Sequence, residues 1–152
     1  MKFNFLSKIY LKIIAWYNYQ LGKRFLTKNS KKPGIITLKS GLQYKPLQEG
    51  IGQIPNYDDL IVVNYEGRFI NGKIFDSSFS SERPSTFKLS KVIVGWVEAL
   101  QLMKEGATYE LYIPSGLAYR QKGSRGIIGP NETLIFKVHL IKILSNNPII
   151  VP

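Results

Sequence analysis

The sequence predicts an α+β fold: a twisted antiparallel sheet wrapped around one short helix and preceded by an N-terminal helix. Three observations predict it. Residues 60–70 are rich in β-branched and aromatic side chains, and residues 108–113 and 134–141 alternate with the period of two that a half-buried strand needs. Between Trp96 and Met103 lies one short phrase with helical spacing. Residues 1–32 carry a longer helical period, closed by Lys31-Lys32-Pro33-Gly34.

In chain order, the N-terminal helix comes first. Tyr10, Ile14, Tyr17, Leu21 and Phe25 fall on one stripe at spacings of three and four, with Lys8, Lys12 and Lys23 away from it. This predicts a basic amphipathic helix over 1–32. Pro33 cannot continue it and Gly34 suits its end, so the folded body is expected over 33–152. The strand at 60–70 runs into Asn71-Gly72, a hairpin signal whose two central positions call for positive φ, and 73–75 is the return strand. Trp96, Ala99, Leu100 and Met103 share one face of the short helix. In the next strand Tyr109, Leu111 and Ile113 alternate with Thr108, Glu110 and Tyr112. In the last, Leu134, Phe136, Val138 and Leu140 alternate with Ile135, Lys137, His139 and Ile141.

A chain of 152 residues holds one domain with a real core and a modest appendage. There is no Cys, which excludes disulfides, a thiol nucleophile and a Cys-based metal site. The net charge of +11 is unevenly placed: Lys2, Lys8, Lys12, Lys23, Arg24, Lys28, Lys31 and Lys32 crowd the first 32 residues, which contain no acid. Such a tail suits an anionic membrane surface, non-specific polyanion binding, or simply a solvated helix face. Lys12 interrupts the first apolar run and Ala15 stands alone without an Ala-x-Ala site, so the segment makes no clear signal peptide. The run is also shorter than the roughly 20 apolar residues of a membrane span. An interfacial helix, or one packed on the body, is expected instead. No nucleic-acid motif accompanies the tail. His139, the single His, lacks the partners of a zinc site and falls on the strand face with Lys137, so no metal or cofactor is expected. The Asn131-Glu132-Thr133 sequon is short enough to arise by chance.

The most specific signal is a series of phrases in fixed order: Val63-Asn64-Tyr65-Glu66-Gly67, Phe75-Asp76-Ser77-Ser78, Val92-Ile93-Val94-Gly95-Trp96, Leu117-Ala118-Tyr119 and Thr133-Leu134-Ile135-Phe136. In these the chain resembles the FKBP family of peptidyl-prolyl cis/trans isomerases. Ser40-Gly41-Leu42-Gln43-Tyr44-Lys45, residues 98–103 and 129–136 narrow the resemblance to the macrophage-infectivity-potentiator (Mip) branch of bacterial FKBPs. It covers residues 21–144. The segment from Gly22 to Gly34 looks like the end of the long helix before the catalytic domain in that branch. The chain is expected to lack the N-terminal dimerisation domain of such proteins, and hence to be a monomer.

The resemblance implies an isomerase that accelerates X–Pro rotation in protein substrates and assists folding. Proline-containing polypeptides would be its partners, and macrolides such as rapamycin or FK506 its inhibitors. It implies that Trp96 forms a pocket floor, with Tyr65, Phe75, Val92, Ile93 and Phe136 as walls. Tyr119 would offer its hydroxyl to a substrate carbonyl, Asp76 would lie beside the twisting amide, and the Ile93 N–H would bind another carbonyl. Ile127 and Ile128 would sit on a flap over the pocket. The family suggests the bacterial cell envelope or periplasm, while the weak export signal leaves the cytoplasm open. Such a site suits the chemistry. Rotation breaks amide resonance against a barrier of about 18–20 kcal/mol, and a dry aromatic pocket favours the less charge-separated twisted amide. Neither nucleophile nor metal is needed.

Three departures from the family pattern stand out. Arg120 follows Tyr119 where Gly is common, and is strained if that position needs positive φ. The flap reads Gly126-Ile127-Ile128-Gly129-Pro130 instead of carrying two consecutive prolines, as in the Mip branch. Ser85, not an aromatic, follows Pro84. Arg120 keeps a second reading open: a module that binds proline segments with little turnover. A third reading makes the basic helix a membrane adaptor.

Overall fold

The computed structural model describes residues 4–124 and 126–144. Of the expected division at 1–32 and 33–152, residues 1–3 and 145–152 therefore lie outside the described part, Lys2 among them. Helix α1 (Phe5–Asn29) starts where Asn4 accepts the Ser7 N–H at 2.9 Å and ends at Ser30, three residues ahead of Pro33. Among the described residues seven strands follow: β1 (Ile36–Thr37), β2 (Gln43–Gln48), β3 (Leu60–Phe69), β4 (Ile74–Ser77), β5 (Ser85–Lys88), β6 (Thr108–Ile113) and β7 (Leu134–Leu144). The short helix α2 (Val94–Leu100) lies between β5 and β6.

The strands form one antiparallel sheet in the order β1-β2-β6-β7-β3-β4. The first half of β3 pairs with β5 and the second half with β4. This sheet wraps α2, whose Trp96, Ala99 and Leu100, with Met103 just beyond, are buried against Val63 and Tyr65 of β3, Leu111 of β6, and Phe136 and Val138 of β7. The helical face read from the sequence is thus the core face, and the fold is the α+β arrangement expected.

Three local expectations are corrected. The turn at Asn71-Gly72 has only Gly72 left-handed, at φ 91°. Gly72 N–H donates to the Phe69 carbonyl, Phe69 N–H to the Lys73 carbonyl, and the Asn71 side chain accepts the Lys73 N–H. This is a three-residue loop, in which one glycine supplies the left-handed position. Tyr112 and its cross-strand partner Ile135, both read as outward, are buried; Phe25 of α1 covers Tyr112 with ring centroids 6.1 Å apart.

The third correction concerns α1 itself. Its buried line is Ala15, Gly22 and Asn29, flanked by half-buried Ile14, Asn18, Leu21, Phe25 and Leu26, while Tyr10 and Tyr17 of the expected stripe are exposed. Close approach explains this. A Cβ on Gly22 would stand 2.1 Å from the Thr133 hydroxyl, so only glycine fits there unless Thr133 moves. Asn29 donates to the Gln43 side chain at 2.9 Å, and Gln43 donates back to the Leu26 carbonyl at 2.9 Å. Amides and small residues dock α1, which a search for large apolar side chains does not find.

Candidate active site

The cleft opens where the sheet, α2 and the loop after β6 meet, with a volume of about 300 Å³. Trp96 is its floor, only 3 % exposed, because the first turn of α2 points the indole into the concave side of the sheet. Three rings stand edge-on to it: Tyr65 at 5.3 Å, Phe136 at 5.3 Å and Phe87 at 5.9 Å between centroids. Phe75 meets Phe136 edge-to-face at 5.6 Å. Edge-to-face packing puts positive ring edges on negative faces and fixes each ring's angle. The Trp96 indole N–H is buried and has no hydrogen-bond partner among the described residues.

Val92 and Ile93 form the side wall. Ile93 caps α2 with extended backbone, and among the described residues no acceptor takes its backbone N–H. At the opposite rim Asp76 on β4 accepts the Tyr65 hydroxyl at 2.6 Å. The strand register explains that pair: Gly67, two residues from Tyr65, lies opposite both Asp76 on β4 and Phe136 on β7. Tyr119 closes the cleft from the loop after β6.

The electrostatics keep both phenols protonated. Burial, then the hydrogen bond and charge of Asp76, push the Tyr65 hydroxyl well above the usual phenol range. Burial, then the Asp76 charge, also raise Tyr119 above its ordinary 10.0. For a raised group, the stabilisation of the neutral form is fully present below the ordinary value and is lost only as pH rises through the higher folded one. Tyr119 therefore remains a donor at pH 10.0, where a free phenol is half ionised. The expected result is a turnover that keeps most of its neutral-pH value at pH 10.0; a fall by half at or below that pH would contradict it.

Of the ten residues named from sequence, Tyr65, Phe75, Asp76, Val92, Ile93, Trp96, Tyr119 and Phe136 line this one cleft. Ile127 and Ile128 do not. A bridge between Ser124 and Ile128 turns Ile128 into the core, where it is 6 % exposed, and leaves Ile127 outward at 63 %. Arg125, in the same loop, lies outside the described residues. Phe87 and Lys91 line the cleft unannounced. Phe87 follows Pro84 on a short β-run, which is a usable signal for an inward ring; Lys91, an exposed residue beside α2, has none. Arg120 does adopt φ 55°, so the strain expected of a non-glycine residue is present, and its Nε–H donates to the Gly116 carbonyl at 3.3 Å. Among the described residues no group of three His, Asp or Glu side chains is placed to hold a metal ion.

Comparison with known proteins sets this geometry in context. Residues 52–141 match the model of the FKBP-type peptidyl-prolyl cis-trans isomerase family, and residues 14–45 match the domain found amino-terminal to such isomerases. That second match spans the docked half of α1, so part of the amino-terminal region of these relatives is represented here. The chain is 56 % identical to the peptidyl-prolyl cis-trans isomerase Mip of Coxiella burnetii over 126 residues, which is 83 % of this chain and 55 % of that protein. It is 50 % identical to the outer membrane protein MIP of Legionella longbeachae, over 83 % of this chain and 54 % of the relative. The chain spans about half the length of the curated relatives it matches. The crystal structure of FkpA from Escherichia coli superimposes with a TM-score of 0.90 at 37 % identity, covering 93 % of this chain and 66 % of that one.

Proposed function

The chain belongs to the FKBP-type peptidyl-prolyl cis-trans isomerases, with Mip-like relatives, and on that premise we propose that it accelerates X–Pro rotation in protein substrates and so assists their folding. One observation carries the reading: an aromatic-walled cleft with a buried Trp96 floor and with Asp76, Tyr119 and an Ile93 N–H unpaired among the described residues at its rim.

The proline ring enters against Trp96, between Phe136, Phe75 and Tyr65. Rotation removes nitrogen donation from the carbonyl, so the twisted amide is less charge-separated and fits a desolvated site better than the planar one does. This preference for the twisted form, rather than overall tightness, lowers the barrier. Loss of resonance leaves the carbonyl carbon electron-poor, and the Asp76 carboxylate, held by Tyr65, acts beside it. The Tyr119 hydroxyl and the Ile93 N–H each bind a substrate carbonyl and fix the chain on both sides of the rotating bond. Macrolides of the rapamycin and FK506 kind fill the same cleft as inhibitors. Refolding of a protein limited by proline isomerisation tests the reading: its slow phase, normally tens to hundreds of seconds, shortens in proportion to added chain. An unchanged slow phase would overturn it.

Arg120 bears on how fast the site turns over. A non-glycine residue in the left-handed region is held there at a cost of roughly 1 kcal/mol. Arg120→Gly relieves that strain while giving up the bond to Gly116, and is expected to raise thermal stability without lowering kcat/KM. A severalfold gain in kcat/KM would favour the low-turnover binding module.

A second reading is favoured by the surface of α1. Phe5, Leu6, Ile13, Trp16 and Tyr17 are exposed, Trp16 at 63 %, and Lys8 and Lys12 line a groove with Lys122 of the body. Among the described residues no helix is long and apolar enough to cross a membrane. We place this face on an anionic lipid surface, with the chain monomeric and in the cell envelope; a relative named as an outer membrane protein supports that location. Vesicles containing phosphatidylserine are expected to sediment the protein, and vesicles of phosphatidylcholine alone to do so far less. Ile13→Ser with Trp16→Ser should abolish the difference. Equal binding to both vesicles would contradict this, and light scattering at twice the chain mass without lipid would assign the face to a second copy.

A further inference from the structure

Helix α1 and the active-site loop are joined through one residue. Asn131 lies just beyond the flap, with its backbone left-handed at φ 57°. Its side-chain amide donates to the Ala15 carbonyl of α1 at 3.1 Å. Its backbone N–H donates to the Arg120 carbonyl at 2.8 Å. Arg120 follows Tyr119 directly and is itself left-handed. Two strained backbone positions are thus tied to each other, and one of them is tied to the helix.

The surrounding contacts make this attachment stiff. Asn18 of α1 donates to the Pro130 carbonyl at 2.9 Å and to the Glu132 carboxylate at 3.3 Å, on either side of Asn131. Ala15 is buried beneath the same loop. Gly22 packs on Thr133, the next residue but one. Among the described residues the other hydrogen bonds of the loop that carries Tyr119 are short-range, such as Gly123 N–H to the Tyr119 carbonyl at 3.1 Å, while Leu117, Ala118 and Tyr119 pack against the core. Asn suits this position twice over. It tolerates the left-handed region better than most residues, and its amide supplies the donor that a helix carbonyl can share.

We propose that Asn131 is a positioning residue for Tyr119, carrying the docking of α1 into the placement of the Tyr119 hydroxyl at the rim of the cleft. The proposal rests on the isomerase reading above for its effect on turnover, though not for its effect on structure. It makes α1 a working part of the site and not only a leader to the domain.

The test is a double-mutant cycle in the full chain. Asn131→Gly keeps the left-handed backbone and its N–H but removes the amide. It is expected to lower kcat/KM about fivefold, mainly through kcat, since the apolar walls that set binding are untouched. In a Tyr119→Phe background, which has no hydroxyl to misplace, the same change should cost less than about twofold. Asn131→Asp, which turns the donor into an acceptor facing the Ala15 carbonyl, should repeat the pattern if Asn131→Gly folds poorly. The Tyr119 ring resonances, followed by NMR, should shift in Asn131→Gly while those of Tyr44, remote from the loop, stay put. Equal losses in both backgrounds, or an unmoved Tyr119 ring, would overturn the proposal. An inactive wild-type chain would instead overturn the isomerase reading, and the ring resonances would still decide whether Asn131 positions Tyr119.

Discussion

Asp76→Leu is expected to lower kcat/KM for an X–Pro peptide by about tenfold or more, the equivalent of roughly 1.4 kcal/mol of transition-state stabilisation, with little change in fold. The carboxylate is at the solvent-exposed rim on β4, so removing it opens no cavity. Its hydrogen bond from the Tyr65 hydroxyl at 2.6 Å is lost. That hydroxyl is left beside the cleft mouth, where water can replace the partner, at a cost of about 1 kcal/mol. Stability and turnover should therefore separate. Tyr119→Phe, which removes a single donor, should act in the same direction with a smaller loss. Initial rates across peptide concentrations, alongside thermal melts, make the comparison. Wild-type activity in both variants would show that the site is assigned wrongly.

Gly67→Ala is expected to damage stability and turnover together. Gly67 lies on β3 beneath the rings, and a Cβ there would stand 2.7 Å from Phe136 Cε1 and 2.7 Å from Phe75 Cζ. Phe136 is buried in the core and cannot withdraw. The relaxation must push Phe75 into a cleft of only about 300 Å³. Overpacking of this kind costs about 1–3 kcal/mol, and melting should fall by about 2–4 °C for each kcal/mol. Substrate binding should weaken, raising KM, because the space taken is the space the proline ring needs. Gly116→Ala is the control, since nothing stands within 4 Å of its added Cβ. If Gly67→Ala binds and turns over like the parent, the rings are not the walls of the site.

These two residues also show what was legible in the sequence. Asp76 and Gly67 both belong to phrases that carry the family resemblance, and the strands holding them follow from hydrophobic period and β-branched content. Period likewise identifies the inner faces of β6 and β7 and the buried face of α2. What period misses is whatever one element does to another. Tyr112 alternates outward, yet α1 covers it. The docked face of α1 is written in Ala15, Gly22 and Asn29, where close backbone approach and amide pairing replace apolar bulk. Ile127 and Ile128 are adjacent and chemically alike, and only the turn at Ser124 decides that one enters the core and the other faces out. Phe87 joins the cleft because β5 pairs with β3, placing Phe87 opposite Ile61 and its ring 5.8 Å from Tyr65. Pairings of that kind are long-range facts that no local window contains.

The measurement that tests the central claim most directly is NMR exchange between the cis and trans forms of a Leu-Pro or Phe-Pro peptide, with the full chain present and with rapamycin then added. Exchange that quickens with catalytic amounts of the protein and returns to the spontaneous rate with rapamycin is the predicted result, tying turnover to the Trp96 cleft. A peptide that binds while its exchange rate stays at the spontaneous value would contradict the isomerase reading and leave a proline-binding module in its place.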